Sequence, residues 1–210
     1  MAAPVDNRLP EGIFVYREST GDQAALFEWR AEERQEGIVI WGLEKGKTFF
    51  NLCGPDGATR KWRYSEPGKN DITARRIGNS LAIRGTRFGK EITKTVALDD
   101  RPWYQPLSFS LGEFLSSTEA QTSFWIIRAD KIEVVAMTAE KVGEETLFFE
   151  NGEVDAHKVE IRAEGFLAKM WHGTYWYRKS DNFFLRYQSV HGLPGSAMTT
   201  VELVSTLPKS

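Results

Sequence analysis

Three histidines, one cysteine and a few carboxylate doublets are the residues through which this chain could run acid–base, nucleophilic or metal chemistry. His157, His172 and His191 form no His-x-His or His-x-x-x-His pair, the spacings that turn two imidazoles toward one metal ion. Asp155 and His157 share one face of an extended strand, which makes them the best-placed acid/base pair for a hydrolase. The competing reading is a histidine satisfied on a half-buried strand. Cys53 follows Phe49-Phe50-Asn51-Leu52 and precedes Gly54-Pro55, with no neighbouring histidine to make a thiolate, so it reads as a small apolar filler. A lone cysteine also excludes an intrachain disulfide and a cysteine-built metal site. Glu32-Glu33, Asp99-Asp100 and Glu144-Glu145 are sequence neighbours, and neighbours on a strand point to opposite faces. They read as rim charges, not as a glycosidase-type dyad. No Gly-x-Ser-x-Gly, phosphate loop or Gly-x-Gly-x-x-Gly occurs. No catalytic residue, metal ligand or cofactor is therefore assigned.

Binding chemistry is better supplied. Arg60-Lys61-Trp62-Arg63-Tyr64 interleaves cations with rings, the composition that holds single-stranded nucleic acid. On a strand the run splits, with Trp62 and Tyr64 on one face and Lys61 and Arg63 on the other, as in any amphipathic strand. Lys+Arg (27) and Asp+Glu (29) nearly cancel to −2, so nucleic acid is not the expected partner. Aromatic residues make up 12% of the chain, and the seven tryptophans are scattered over most of the expected strands. Two readings follow: the rings fill a dry core, or they line an incompletely filled barrel that accepts an apolar small molecule or lipid. The ligand-binding candidates are Trp41, Trp62, Trp125, Trp171 and Trp176, with Phe109, Leu111 and Phe114 from a helix across the mouth.

The elements that must position these residues are strands. Turn signals such as Gly21-Asp22, Pro67-Gly68, Asn151-Gly152 and Ser180-Asp181-Asn182 punctuate short runs rich in Val, Ile, Thr and aromatics. Asn151-Gly152 predicts a type I′ hairpin, since both residues tolerate positive φ. Thr174–Arg178 and Phe183–Tyr187 predict a second hairpin, and Glu91–Leu98 a further alternating strand. Ala25–Arg34 alternates Leu26, Glu28, Arg30 against Phe27, Trp29, Ala31 and reads as a strand. Leu107, Leu111, Phe114 and Leu115 fall on one helical face behind Pro106, which predicts one short amphipathic helix near 106–116. The fold class is mainly all-β: an antiparallel sheet of eleven or twelve strands curled into an incomplete barrel, with one short helix. Residues 1–10 read as a disordered N-terminus and 11–206 as a single curled domain. Two small β domains joined near Asp99–Pro102 are the alternative. No transmembrane segment is present, the apolar runs being four or five residues long. Ala2-Ala3-Pro4-Val5-Asp6 reads like the start left after an export signal is removed, which predicts a periplasmic or envelope address, with the cytoplasm as alternative.

Over roughly 103–205 the chain resembles a known group. The residues that carry this are Pro106-Leu107-Ser108-Phe109-Ser110-Leu111, then Gly152-Glu153-Val154-Asp155-Ala156-His157-Lys158-Val159. Tyr175-Trp176-Tyr177, Phe184-Leu185-Arg186-Tyr187 and Thr200-Val201-Glu202-Leu203 complete them. The pattern is similar to bacterial envelope domains of unknown function whose fold resembles the lipoprotein carriers LolA and LolB. The resemblance implies a long antiparallel sheet curled round an acyl-chain-sized apolar cavity under helices, although several lid helices of the carriers are missing here. The expected function is therefore non-enzymatic binding of an apolar or lipid-like ligand in the bacterial envelope. A protein-interaction domain using an exposed sheet edge and a hydrolase with an unrecognised site are the alternatives.

Overall fold

A computed structural model describes residues 12–150, 152–165, 172–190 and 197–207. The chain runs through β1 (Ile13–Thr20), β2 (Gln23–Arg34), β3 (Gly37–Glu44), β4 (Lys47–Cys53), β5 (Thr59–Glu66), β6 (Asn70–Ile77), β7 (Ser80–Arg87) and β8 (Lys90–Ala97). Two helical turns follow, α1 (Leu107–Ser110) and α2 (Gly112–Ser116). The rest is β9 (Gln121–Arg128), β10 (Glu133–Phe149), β11 (Gly152–Ala163), β12 (His172–Arg178), β13 (Phe184–Val190) and β14 (Met198–Leu207). These fourteen strands form one antiparallel sheet that is not closed into a barrel. Fourteen exceeds the expected eleven or twelve because tight turns split the charged first half into eight strands. The Ala25–Arg34 run lies in β2, and the Asn151-Gly152 hairpin joins β10 to β11, with Phe149 opposite Gly152. The expected geometry at Asn151 and the expected disordered start, residues 1–10, lie outside the described residues.

Each strand pairs with its sequence neighbours, and β1 pairs with β14, so the sheet runs unbroken from β8 through β1 and β14 to β9. Its two edges are β8 and β9, consecutive in the chain yet not bonded to each other. Register shifts leave one extra residue each in β5 (Arg60), β10 (Val142), β13 (Leu185) and β14 (Val204), bulges that add local twist and let a long sheet curl.

Residues 98–116 occupy the gap between the edges. Trp125 N–H donates to the Pro102 carbonyl at 2.8 Å and Tyr104 N–H to the Trp125 carbonyl at 2.9 Å, so residues 102–105 cover the outer side of β9. On the other flank, Thr59 N–H at the start of β5 donates to the Trp103 carbonyl at 2.7 Å. Gln105 fastens both. Its amide oxygen accepts from Ile127 N–H (2.9 Å) and Trp103 Nε1–H (3.0 Å), its Nε2 donates to the Ile127 carbonyl (2.8 Å), and its backbone N–H donates to Thr59 Oγ1 (3.0 Å). Side chains complete the seam: Trp62, Tyr64, Ile72, Leu81 and Ile83 from β5–β7 pack with Trp103, Ile127 and Ile132.

The larger core lies under the helical turns. Leu111, Phe114 and Leu115 pack with Phe14, Tyr16 and Trp29 on one side and Met137, Val159, Ile161, Tyr175, Tyr177 and Phe184 on the other. The helical segment falls where expected but breaks at Leu111, so it forms two turns; neither is long enough to stand without docking. Tyr177 Oη donates to the Leu107 carbonyl at 2.8 Å, tying α1 to β12. Gly57, at φ +75°, lies against Ser110, where a Cβ would sit 2.7 Å from the Ser110 carbonyl oxygen. Only glycine lets the β4–β5 loop approach the helix this closely.

Edge β8 is open among the described residues, and it is managed by charge. Lys94 falls between Ile92 and Val96 on the same face, a lysine on the concave side that opposes pairing with another chain. Lys94→Val should raise self-association, read by sedimentation velocity; an unchanged monomer fraction would show that the lysine does not guard this edge. Gln105→Leu leaves Trp103 Nε1–H and both backbone groups of Ile127 without their partners, which should cost about 3 kcal/mol in urea unfolding. A loss within about 0.5 kcal/mol would show that the seam is sealed by packing alone.

Candidate functional site

The concave faces of β2–β5 set up the site. Trp29 pairs with Gly42, Gly42 with Phe49, and Phe49 with Tyr64, forming one row across four strands. The next row runs Ala31, Ile40, Asn51, Trp62. In a row of rings, Gly42 contributes no side chain. Its backbone is ordinary, and a Cβ there would meet Phe49 at 3.7 Å and the Glu28 carbonyl oxygen at 3.8 Å, plain van der Waals contact. The glycine is therefore about space, not conformation. Opposite this gap runs the Gln105–Ser108 segment, and between them is a cavity of ≈ 200 Å³. Phe27, Trp29, Ile40, Phe49 and Trp62 give it an apolar wall, and Asn51 and Gln105 add amides.

Four polar atoms of its lining residues lack a partner: Trp29 Nε1, Trp41 Nε1, Asn51 Oδ1 and Trp62 Nε1. Asn51 is 4% exposed and Trp62 fully buried, yet neither Asn51 Oδ1 nor Trp62 Nε1 makes a hydrogen bond. Trp29 and Ser108 also line a second space of ≈ 530 Å³, so the two adjoin. This cleft lies between the helical turns, the β4–β5 loop and the β12–β13 turn. Ile38, Phe109 and Phe183 form its apolar part and Asp56, Glu113 and Asp181 its polar part.

A third space of ≈ 630 Å³ lies on the opposite face of β2–β5. There Trp41 and Phe50 meet edge to face at 5.2 Å, Arg30 and Arg34 lie over Trp41 at 5.7 and 5.5 Å, and Lys61 over Phe50 at 5.7 Å. Arg63 is engaged with Asp71 through two 3.0 Å hydrogen bonds. The Arg60–Tyr64 run thus divides as its alternation predicts: rings inward, cations outward.

The expected site residues take several different positions. Trp62 lines the cavity, Trp41 borders both the cavity and the outer groove, and Phe109 lines the cleft. Leu111 and Phe114 are buried in the core beneath the helical turns. Trp125 lies elsewhere, its Nε1 donating to Asp99 Oδ1 at 2.8 Å with Arg101 at 4.4 Å over its ring. Trp176 faces away from Tyr175 and Tyr177, its Nε1 donating to Glu145 at 3.1 Å with Lys158 at 5.4 Å. Trp171 lies outside the described residues. Sequence reasoning did not find Trp29, Gly42, Asn51 or Gln105. The alternation of Phe27, Trp29 and Ala31 marks the right face of β2, but no local signal singles out a glycine or an asparagine on it.

Reactive groups lie apart from these spaces. Asp155 Oδ1 accepts from Thr146 Oγ1 at 2.7 Å, and His157 Nδ1 lies 3.8 Å from Glu144 Oε1. Burial lowers the His157 pKa, with Glu144 opposing and Lys179 and Lys141 adding to the shift. Among the described residues no three His, Cys, Asp or Glu side chains gather as a metal-binding group. Cys53 is fully buried beside Thr59, and burial pushes its thiol up to about 12.

In comparisons with solved structures, the chain overlays on a beta-barrel-like protein of the domain of unknown function DUF1849 from Brucella abortus. The TM-score is 0.67 at 12% identity, covering 94% of this chain and 97% of that one. It also overlays, at a TM-score of 0.40 and 10% identity, on the hypothetical lipoprotein YmcC from Escherichia coli, covering 96% of this chain and 92% of that one. A LolA superfamily protein from Nitrosomonas europaea gives a TM-score of 0.30 at 7% identity, with 98% and 90% covered. No protein-family model and no curated protein matches the chain. The DUF1849 overlay shows that the beta-barrel-like fold is shared with a solved structure, as the sequence resemblance implied.

Because the thiolate is the reacting form of cysteine, a buried thiol with a raised pKa stays protonated at pH 8. Cys53 should not react with Ellman's reagent at pH 8 until denaturant is added; prompt reaction of the native protein would show that this position opens to solvent.

Proposed function

We propose that the protein is a non-enzymatic binding protein of the bacterial envelope that takes an apolar, lipid-like ligand on the concave side of its sheet. The observation that carries this reading is the cavity between β2–β5 and the Gln105–Ser108 segment, walled by Phe27, Trp29, Ile40, Phe49 and Trp62. Its ≈ 200 Å³ is less than the roughly 300–1,000 Å³ of pockets for drug-sized ligands. The adjoining ≈ 530 Å³ cleft supplies the remaining length. An elongated molecule, inner end past Trp29 and outer end among Asp56, Glu113 and Asp181, suits both spaces. Each methylene taken from water contributes about 0.8 kcal/mol, which favours a chain over a compact polar solute. The envelope address rests on the resemblance of residues 103–205 to envelope domains.

The test uses N-phenyl-1-naphthylamine, a neutral apolar dye that fluoresces when it leaves water. Its signal should saturate with the parent protein, weaken with Gly42→Ala and vanish with Gly42→Leu, while far-ultraviolet circular dichroism stays unchanged. Undiminished binding by folded Gly42→Leu, or none by the parent, would remove this reading.

A further inference from the structure

The outer face of β2–β8 carries its charges sorted into rows. Strand pairing sets Arg30, Trp41, Phe50, Arg63, Thr73 and Arg84 side by side across β2–β7. In the next row Lys61 stands directly opposite Arg75. The carboxylates Glu28, Asp71 and Glu91 share the row on the other side, and Glu32, at the β2 end of the Lys61 row, is held by Arg34 at 3.0 Å. Arg63 pairs with Asp71, but Arg30, Lys61, Arg75 and Arg84 form no ion pair among the described residues. The three arginines of that set are exposed and Lys61 is half-buried. Like charges directly opposite each other on neighbouring strands repel, so Lys61 facing Arg75 destabilises the sheet. A merely solvated face would be better served by carboxylates interleaved with these cations, and the chain carries more acids than bases, 29 against 27. We propose that this cationic stripe binds a linear acidic polysaccharide. The surface lies outside the cavity, and the proposal does not depend on the lipid-like ligand.

Geometry and chemistry select that occupant. The stripe crosses the strands, so it follows the direction in which the sheet curls. A flexible chain bends along it, whereas a planar bilayer meets only part of it at a time. From β2 to β7 it spans five strand spacings, about 24 Å, room for several sugar units. Its β2–β5 end holds the ≈ 630 Å³ outer groove. The rings there are already engaged, with Arg30 and Arg34 over Trp41 and Lys61 over Phe50. They hold cations in place and do not serve as stacking platforms for nucleic-acid bases. Thr73, Thr93 and Thr95 lie among and beside the cations on the same face. Their hydroxyls both donate and accept, which suits the sugar hydroxyls between the anionic groups of such a chain.

The experiment titrates the full chain with heparin, a linear sulfated polysaccharide, by calorimetry at neutral pH and low ionic strength. Heparin should bind although the protein carries a net charge of −2, and added salt should weaken it, because exposed charges are screened. Reversing two exposed cations of the stripe, Arg75→Glu with Arg84→Glu, should weaken binding by about ten-fold or more. Lys90→Glu with Lys131→Glu, the same change of charge at the β7–β8 and β9–β10 turns, should alter it by less than about two-fold. No binding by the parent, or equal loss in the two double variants, overturns the proposal. Tighter binding of oligo(dT) or of phosphatidylglycerol vesicles than of heparin would give the stripe to nucleic acid or to a membrane, and overturns it too. The Tm of Arg75→Thr supplies an independent readout. It should rise at low salt, because a like-charge pair has been removed, while heparin affinity falls. A lower Tm would show that Arg75 supports the sheet itself, and would overturn the assignment.

Discussion

Everything in this molecule depends on the fact that its sheet curls round without bonding to itself. Strands β8 and β9 are chain neighbours and sheet edges at once, and the connection between them fills the gap they leave. Backbone groups on a sheet edge need partners, and residues 102–105 supply them to β9, while Thr59 anchors the same segment to β5. Gln105 makes the arrangement specific. Its single amide serves two backbone groups of Ile127 and the indole of Trp103, so the segment has one register against β9.

That seal also creates the space. Because the connection crosses the concave face and does not extend β9 as another strand, it stands off from β2–β5, and the omitted side chain at Gly42 prevents the rings from filling the interval. The other half of the sheet behaves differently. There Tyr16, Tyr175, Tyr177 and Phe184 pack among themselves and against Leu111, Phe114 and Leu115, leaving the aromatic side solid. Dry core and lined cavity, which the composition presents as alternatives, coexist in one concave surface.

The polar atoms in the cavity wall fit the same picture. Two core tyrosines satisfy their hydroxyls on backbone carbonyls, Tyr16 on Phe184 and Tyr177 on Leu107. Asn51 and Trp62 do not, although they are equally buried. Of the buried side-chain polar atoms without a protein partner, those of Trp29, Trp41, Asn51 and Trp62 all belong to residues that line the cavity.

Local patterns determined the antiparallel class, the hairpins at Asn151-Gly152 and 178–183, the strand identity of Ala25–Arg34 and the helical segment behind Pro106. Alternation, turn residues and helical spacing are properties of a few neighbouring residues, so they are legible in one dimension. Alternation also assigned Trp62 and Tyr64 to one face and Lys61 and Arg63 to the other. It could not say which aromatic residues share a neighbourhood: Trp62 and Phe109 border the adjoining spaces, whereas Trp125 and Trp176 make their own contacts with Asp99 and Glu145. Only the tertiary structure decided that Gly42, Asn51 and Gln105 matter. Their significance comes from strands brought together by register and from a connection more than fifty residues away along the chain, and no short window of sequence contains that distance.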